Sequence, residues 1–184
     1  MSLSWIPNAI CVLRILLIGP LVLALNAGQY VLALVLIVIA GFSDGIDGFL
    51  AKTFDWRTRL GSLLDPAADK LLLVSSFITL TVLSLVPVGL TVIVILRDVV
   101  IVSGALAYQK VAGRLEGRPT LISKLNTACQ LLFVCSVITR AEWDRPPAQW
   151  LTVLGALVVF TSIASGLNYV LIWSHNARQQ TRAA

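Results

Sequence analysis

The chain has 184 residues, of which 58% are hydrophobic and 12% charged, and its formal net charge is +5. Its mean hydropathy is strongly positive. One water-soluble core cannot enclose so much apolar surface, so the composition excludes an ordinary soluble domain and predicts a membrane protein with several spans. The basic residues cluster in short loops between apolar runs. They are expected to set topology and meet anionic lipid headgroups, and no nucleic acid partner is expected.

The apolar runs predict an all-α, polytopic membrane protein in which six transmembrane helices form one bundle, a single domain over residues 1–184. A short interfacial N-terminal segment precedes the first span, and no removable signal is expected. The spans are expected at about 9–25, 30–52, 59–85, 90–108, 121–138 and 146–174. Loop lysines and arginines place the active side and both termini in the cytoplasm, in a membrane expected to be the bacterial inner membrane.

Charged residues also lie inside two of the spans. Arg14, in the first span, either snorkels to the headgroups or contacts a substrate phosphate or a carboxylate. Arg97 and Asp98 are adjacent near the middle of the fourth span, where a structural ion pair and a role in acceptor binding are both open.

Four aspartates, Asp44, Asp47, Asp65 and Asp69, lie beside some of the most apolar sequence in the chain. The first two are three residues apart and the last two are four apart, so each pair shares one face of a helix. A polar turn around 53–58 would bring the two faces together. Carboxylate clusters suit Mg²⁺ or Mn²⁺, and four could neutralise two such ions, which points to phosphoryl-type chemistry. Solvated loop carboxylates, the alternative, would not need helical spacing or apolar flanks.

With the small residues between them, these aspartates follow the spacing D-x2-D-G-x2-A-R-x8-G-x3-D-x3-D. This spacing resembles the signature of the CDP-alcohol phosphotransferases, and only Lys52, where the family usually has Arg, departs from it. The resemblance implies transfer of a substituted phosphate from a CDP-linked donor to an alcohol, with release of CMP and without a covalent enzyme intermediate. For a lipid enzyme the donor would be CDP-diacylglycerol.

The resemblance also implies roles for individual residues. Asp69 would be the catalytic base. The two divalent cations, Mg²⁺ or Mn²⁺, would be held by Asp44, Asp47, Asp65 and Asp69. The CDP group would be bound by Asp44, Gly48, Ala51, Lys52 and Gly61. The phosphate or the acceptor would be bound by Asn8, Arg14, Arg97, Arg118, Ser123 and Lys124.

The acceptor has to be recognised by segments outside the motif. Within the family, the run 118–128 and the Arg97-Asp98 pair resemble the enzymes that make cardiolipin from phosphatidylglycerol more than those that use glycerol 3-phosphate. Phosphatidylglycerol is therefore the expected acceptor, and glycerol 3-phosphate is the alternative. The family resemblance also implies a homodimer. An ion transporter and a purely structural membrane protein are rivals from other classes, but neither explains the motif.

Overall fold

A computed structural model of the protein describes the backbone of residues 5–53, 61–112 and 121–183, with side chains at 10–41, 43, 68–104 and 121–169. Within these ranges the regular structure is entirely helical, in six helices. The helices are α1 (Trp5–Asn26), α2 (Tyr30–Thr53), α3 (Gly61–Val82), α4 (Val88–Ala112), α5 (Leu121–Trp143) and α6 (Ala148–Ala183). The all-α prediction is confirmed, and each predicted span corresponds to one helix.

The helix bounds differ from the predicted spans mainly around the last connection. The segment 140–145 was expected to be a loop, but its first four residues continue α5. Arg140 explains the extension, because its side chain donates to the Pro146 carbonyl oxygen at 2.7 Å and pairs with Asp144 at 3.3 Å. A cation in the last turn also favours a helix C-terminus. The sixth helix continues past its expected end near residue 174, to Ala183.

The turn between α1 and α2 is closed by backbone hydrogen bonds. Gln29 N donates to Ala24 O at 2.9 Å, and Gly28 N donates to Leu25 O at 3.1 Å, a Schellman arrangement. Gly28 lies at φ +71°, in the left-handed region that glycine adopts without a Cβ clash. The chain therefore reverses within three residues and starts α2 at Tyr30.

The helices belong to two compact units. The first unit is Met1–Val86 with Val134–Pro147, and within it α1 packs against α2 and α3. The second unit is Pro87–Phe133 with Ala148–Ala184, and within it α4 packs against α6. The division passes through α5, which contributes its two halves to different units.

In the described residues, the outer surface is more apolar than that of a water-soluble protein, and some polar side chains are buried. Large apolar side chains such as Leu16, Leu23 and Phe160 are exposed, whereas Arg14 and Asn126 are buried. Two described helical segments, Leu121–Trp143 and Ala148–Tyr169, are long and apolar enough to cross a membrane. Shorter apolar segments occur at Ile10–Asn26 and Tyr30–Gly41. These features fit a protein whose outer surface faces lipid.

Candidate active site

The predicted motif lies on two continuous helices. Asp44 and Asp47 are both in α2, and Asp65 and Asp69 are both in α3. The three- and four-residue spacings therefore put each pair of positions on one helix face, as predicted. The seven residues 54–60, which connect the two helices, lie outside the described residues. So do the side chains of Asp44, Asp47 and Asp65.

The remaining positions expected to bind CDP also fall on these two helices. Gly48, Ala51 and Lys52 are in the last turns of α2, and Gly61 is the first residue of α3. The Lys52 side chain is outside the described residues. The motif thus occupies the C-terminal end of one helix and the N-terminal part of the next.

Asp69 is the one motif aspartate whose side chain is described, and its carboxylate is held by α1. The Arg14 guanidinium donates from NH1 to Asp69 Oδ1 at 2.5 Å, across 55 residues of sequence. The Arg14 side chain is only 1% exposed, whereas that of Asp69 is 38% exposed. Arg14 therefore does not snorkel, and of the alternatives left by the sequence the carboxylate contact is the one observed.

The second charged pair lies in the second unit. Arg97 NH1 donates to Asp98 Oδ1 at 2.6 Å, although adjacent helix residues normally point in different directions. Arg97 NH2 donates to Ser123 Oγ of α5 and to Ser165 Oγ of α6, both at 2.7 Å. One buried guanidinium thus links all three helices of this unit. The ion pair left open by the sequence is present, and two of the predicted acceptor residues, Arg97 and Ser123, are in contact.

The other predicted acceptor residues are not brought to this cluster by any described contact. Lys124 is exposed at the start of α5. Asn8 is in α1 with its side chain outside the described residues, and Arg118 belongs to the undescribed segment 113–120. Among the described residues, no group of three or more His, Cys, Asp or Glu could hold a metal ion. A metal site built from the motif would therefore involve side chains beyond the described part.

The sequence reasoning missed a set of buried polar residues on α5 and α6. Asn126 Oδ1 accepts hydrogen bonds from the hydroxyls of Thr161 and Ser162, both at 2.9 Å. Asn126, Ser162 and Ser165 are fully buried, and Gln130 is nearly so. A signal was available, because Asn126 and Gln130 are four residues apart in an apolar span, where polar side chains normally face a partner helix or a cavity.

Comparison with known proteins identifies the class to which this helical fold and aspartate motif belong. The family model for CDP-alcohol phosphatidyltransferase matches residues 4–165. The chain therefore belongs to the CDP-alcohol phosphatidyltransferase family.

Similar curated proteins fall into two groups. A human "Cardiolipin synthase (CMP-forming)" is 32% identical over 180 residues, covering 89% of this chain and 60% of the relative. An Aquifex aeolicus "CDP-diacylglycerol--glycerol-3-phosphate 3-phosphatidyltransferase" is 28% identical over 170 residues, covering 90% and 94% respectively. A rice "CDP-diacylglycerol--glycerol-3-phosphate 3-phosphatidyltransferase 1, chloroplastic" is 33% identical over 152 residues, covering 72% of this chain and 46% of the relative. The chain thus spans about 60% of the length of the human relative.

Proposed function

We propose that this protein transfers a phosphatidyl group from CDP-diacylglycerol to an alcohol and releases CMP. The acceptor we favour is phosphatidylglycerol, which would give cardiolipin. The observation that carries the proposal is the position of Asp69: it belongs to the family's aspartate motif, it is partly exposed, and a buried arginine holds its carboxylate. Family membership and the names of the relatives support the same reaction. An ion transporter would not account for this match over residues 4–165.

The spacing of the motif would suit a pair of divalent cations. The two aspartate positions of α2 lie on one helix face, as do the two of α3, and an all-oxygen donor set is the set that Mg²⁺ and Mn²⁺ prefer. Asp44, Asp47, Asp65 and Asp69 would hold the ions. When bound, the ions would neutralise the pyrophosphate and stabilise the charge that develops on the leaving CMP.

Asp69 would act as the general base of the transfer. The hydroxyl oxygen of the acceptor attacks the phosphorus that carries diacylglycerol, the bond from this phosphorus to the CMP oxygen breaks, and the hydroxyl proton passes to Asp69. The hydrogen bond from Arg14 to Oδ1 restrains the orientation of the carboxylate. Because the Asp69 side chain is 38% exposed, a substrate hydroxyl can reach it.

The donor nucleotide would lie against the small residues of the motif. Gly48, Ala51 and Gly61 are small and would leave room for the nucleotide, and Asp44 would contact the CDP group. Lys52 would offer a positive charge to a phosphate, as a point charge and not as the planar fork of an arginine. The acceptor phosphate would be bound by Arg97, Ser123 and Lys124 together with Asn8, Arg14 and Arg118.

Membrane placement and assembly belong to the same proposal. All six helices would span one membrane as a single domain, the inner membrane in a bacterium, with the motif and both termini on the cytoplasmic side. The exposed apolar side chains support contact with lipid. The functional unit would be a homodimer, which mass measurement in native-like lipid would test. A monomer alone would contradict it.

The decisive experiment measures CMP release by folded, detergent-solubilised protein that is supplied with CDP-diacylglycerol, Mg²⁺ and one acceptor at a time. Asp69→Asn should lower turnover by about 10²- to 10⁴-fold, the usual contribution of a general base. Asp144→Asn is the matched control, since this carboxylate is 92% exposed and pairs with Arg140 in the last turn of α5, and it should leave turnover unchanged. Near-normal turnover of Asp69→Asn would remove Asp69 as the base.

Identification of the lipid product tests the acceptor separately. Cardiolipin from phosphatidylglycerol is the expected product. Phosphatidylglycerophosphate from glycerol 3-phosphate, with no cardiolipin, would instead assign the protein to the activity named for the Aquifex and rice relatives. The roles of the motif aspartates would be unaffected by that outcome.

A further inference from the structure

The first helix carries a Gly-Pro pair in its interior, at Gly19 and Pro20. Proline has no N–H to donate to the carbonyl four residues back, here that of Leu16, and its ring crowds this carbonyl. Sharp bends in helices therefore occur at such places. Helix α1 nevertheless continues through the pair, from Trp5 to Asn26.

Packing does not explain the glycine of this pair. Gly19 is exposed, and a Cβ added to it would meet no neighbouring atom within 4 Å. A Cβ on the residue before a proline crowds the proline ring when the backbone is helical, and glycine avoids this clash. Gly19 thus adds backbone freedom at the point where Pro20 has removed a hydrogen bond.

The two parts of α1 on either side of the pair are held differently. After the pair, Leu21 and Leu25 are fully buried, and the closed turn to α2 follows. Before the pair lie residues 10–18, which we call the N-terminal arm. Its buried side chains are those of Cys11 and Arg14, and Leu16 is 65% exposed. The part after the pair is thus anchored in an apolar core, whereas the arm meets α3 through a charged pair.

The faces of α1 indicate the direction in which the helix would bend. Leu16 and Pro20 are four residues apart and share the exposed face, whereas Arg14 and Leu21 are seven apart and share the buried face. The proline ring pushes the Leu16 carbonyl away on the exposed side, so the bend is convex on that side. It carries the arm towards α3, where Arg14 bonds to Asp69.

We propose that the N-terminal arm is a gate through which the lipid substrate reaches Asp69 from the bilayer. The gate pivots at Gly19 and Pro20, and the Arg14–Asp69 pair closes it. Both acyl chains of a phospholipid remain in the hydrocarbon, so its headgroup has to pass sideways between helices. An anionic headgroup competes with Asp69 for Arg14, and a pair with one exposed member is inexpensive to separate. This inference rests on the proposed function.

The kinetic test stiffens the pivot. Pro20→Ala restores an N–H donor to the Leu16 carbonyl, and this bond must break before the arm can move. The variant should lower kcat with long-chain CDP-diacylglycerol by about 3- to 10-fold, the effect of one backbone hydrogen bond on a barrier. Forms of donor and acceptor with four-carbon chains approach from water, and their turnover should be unchanged.

Pro87→Ala is the matched control for this test. Pro87 is also exposed, but it lies just before α4, so its replacement restores no bond inside a helix. Its turnover should be unchanged with both chain lengths. Full activity of Pro20→Ala on the long-chain donor would overturn the gate. So would an equal fall with both chain lengths, because that result would place the effect in the chemical step.

A second measurement does not depend on turnover. Spin labels are attached through genetically encoded amino acids at Leu13 of the arm and Leu71 of α3, which are 51% and 50% exposed. Leu13 lies about 10 Å from Pro20 along the helix, so a bend of about 20° moves it by about 4 Å. The distances between the labels should spread over about this range with CDP-diacylglycerol present, and Pro20→Ala should narrow them. Labels at Leu23 and Ile78 are the control pair, beyond the pivot, and should give one narrow distribution.

The two measurements separate the gate from the reaction. If CMP release fails with every acceptor but the spread at Leu13 persists and depends on Pro20, the proposed reaction is wrong and the pivot stands. If the distances at Leu13 are as narrow as those of the control pair, with and without CDP-diacylglycerol, α1 moves as one rigid helix. The gate is then wrong, whatever the reaction.

Discussion

Among the residues whose side chains are described, each unit contains one buried arginine, and the two arginines are neutralised in different ways. Arg14 in the first unit reaches a carboxylate 55 residues away, on another helix, and that carboxylate is partly exposed. Arg97 in the second unit pairs with the adjacent residue and extends to neutral hydroxyls on two other helices. The acidic member of the Arg14 pair is thus partly exposed, whereas both members of the Arg97 pair are largely buried.

The difference indicates what each pair does. An enclosed charge must keep its counterion, because a single buried ion is expensive to leave in an apolar interior. A pair with one exposed member can exchange its partner for a substrate or a metal at lower cost. Substitutions at Arg97 should therefore act first on stability, and substitutions at Arg14 should act first on catalysis.

The largest expected effect is on stability, from removing the buried guanidinium of Arg97. Arg97→Leu leaves the buried Asp98 without this partner and should lower the free energy of unfolding by about 3–5 kcal/mol, measured by unfolding in mixed detergent micelles. The double variant Arg97→Leu, Asp98→Leu should recover most of that loss, since an apolar replacement of the whole pair is often neutral. If the single and double variants lose the same free energy of unfolding, the loss does not come from leaving Asp98 without its counterion.

The next largest effect is expected on catalysis, from a substitution at Arg14. Arg14→Lys keeps the charge but not the planar fork, so the Asp69 carboxylate loses its fixed orientation. CMP release at saturating Mg²⁺ should fall by about 10- to 100-fold, as it does when partners of metal-binding side chains are changed. Arg140→Lys, which alters an arginine bound to the Pro146 carbonyl, should release CMP at the rate of the unaltered protein. A fall that is equal in the two variants would argue against a special role for Arg14.

A smaller effect tests how tightly the second unit encloses its interior. A Cβ at Gly155 would lie 3.2 Å from Leu90 Cδ1 and 3.3 Å from a Phe133 ring carbon. Gly155→Ala should therefore have a free energy of unfolding about 1–3 kcal/mol below that of Gly166→Ala, because overpacking opposes the gain that alanine brings to both helix positions. Gly166→Ala is the matched control, because the nearest atom to its Cβ would be Arg97 Cγ at an ordinary 3.9 Å. Its thermal unfolding should be unchanged or slightly later; a loss as large as that of Gly155→Ala would contradict the packing.

The smallest effect concerns one hydroxyl. Ser165→Ala removes an acceptor for Arg97 and should cost about 0.6 kcal/mol, the mean for hydrogen bonds between membrane helices. Ser103→Ala removes a hydroxyl that bonds to Val99 O of its own helix at an exposed position, and it should cost almost nothing. If unfolding curves show no difference between the two variants, the link from α4 to α6 contributes little.

Most helices and the spacing of the motif could be predicted from the sequence because both depend on neighbours along the chain. Apolar runs define α1 to α5 to within a few residues, except at the end of α5, where Arg140 contacts a carbonyl beyond the helix. The partner of Arg14 was one of several alternatives, since the contact with Asp69 depends on how α1 packs against α3. Asn126 and Gln130 were overlooked for the same reason. Their importance appears only when α6 supplies the hydroxyls that bond to one amide and leaves both sets of N–H groups unsatisfied.

The short turn after α1 also bears on how the chain would enter a bilayer. Its residues are uncharged, its backbone groups are bonded to the last turn of α1, and the Asn26 side chain donates to Val22 O at 2.7 Å. A turn with its hydrogen bonds already made can cross hydrocarbon at modest cost, so α1 and α2 can insert together as a preformed hairpin during synthesis. Arg14 would then be in the membrane before α3 has emerged. Its charge would remain uncompensated by Asp69 until that helix follows, which makes the arrival of α3 the step that completes the first unit.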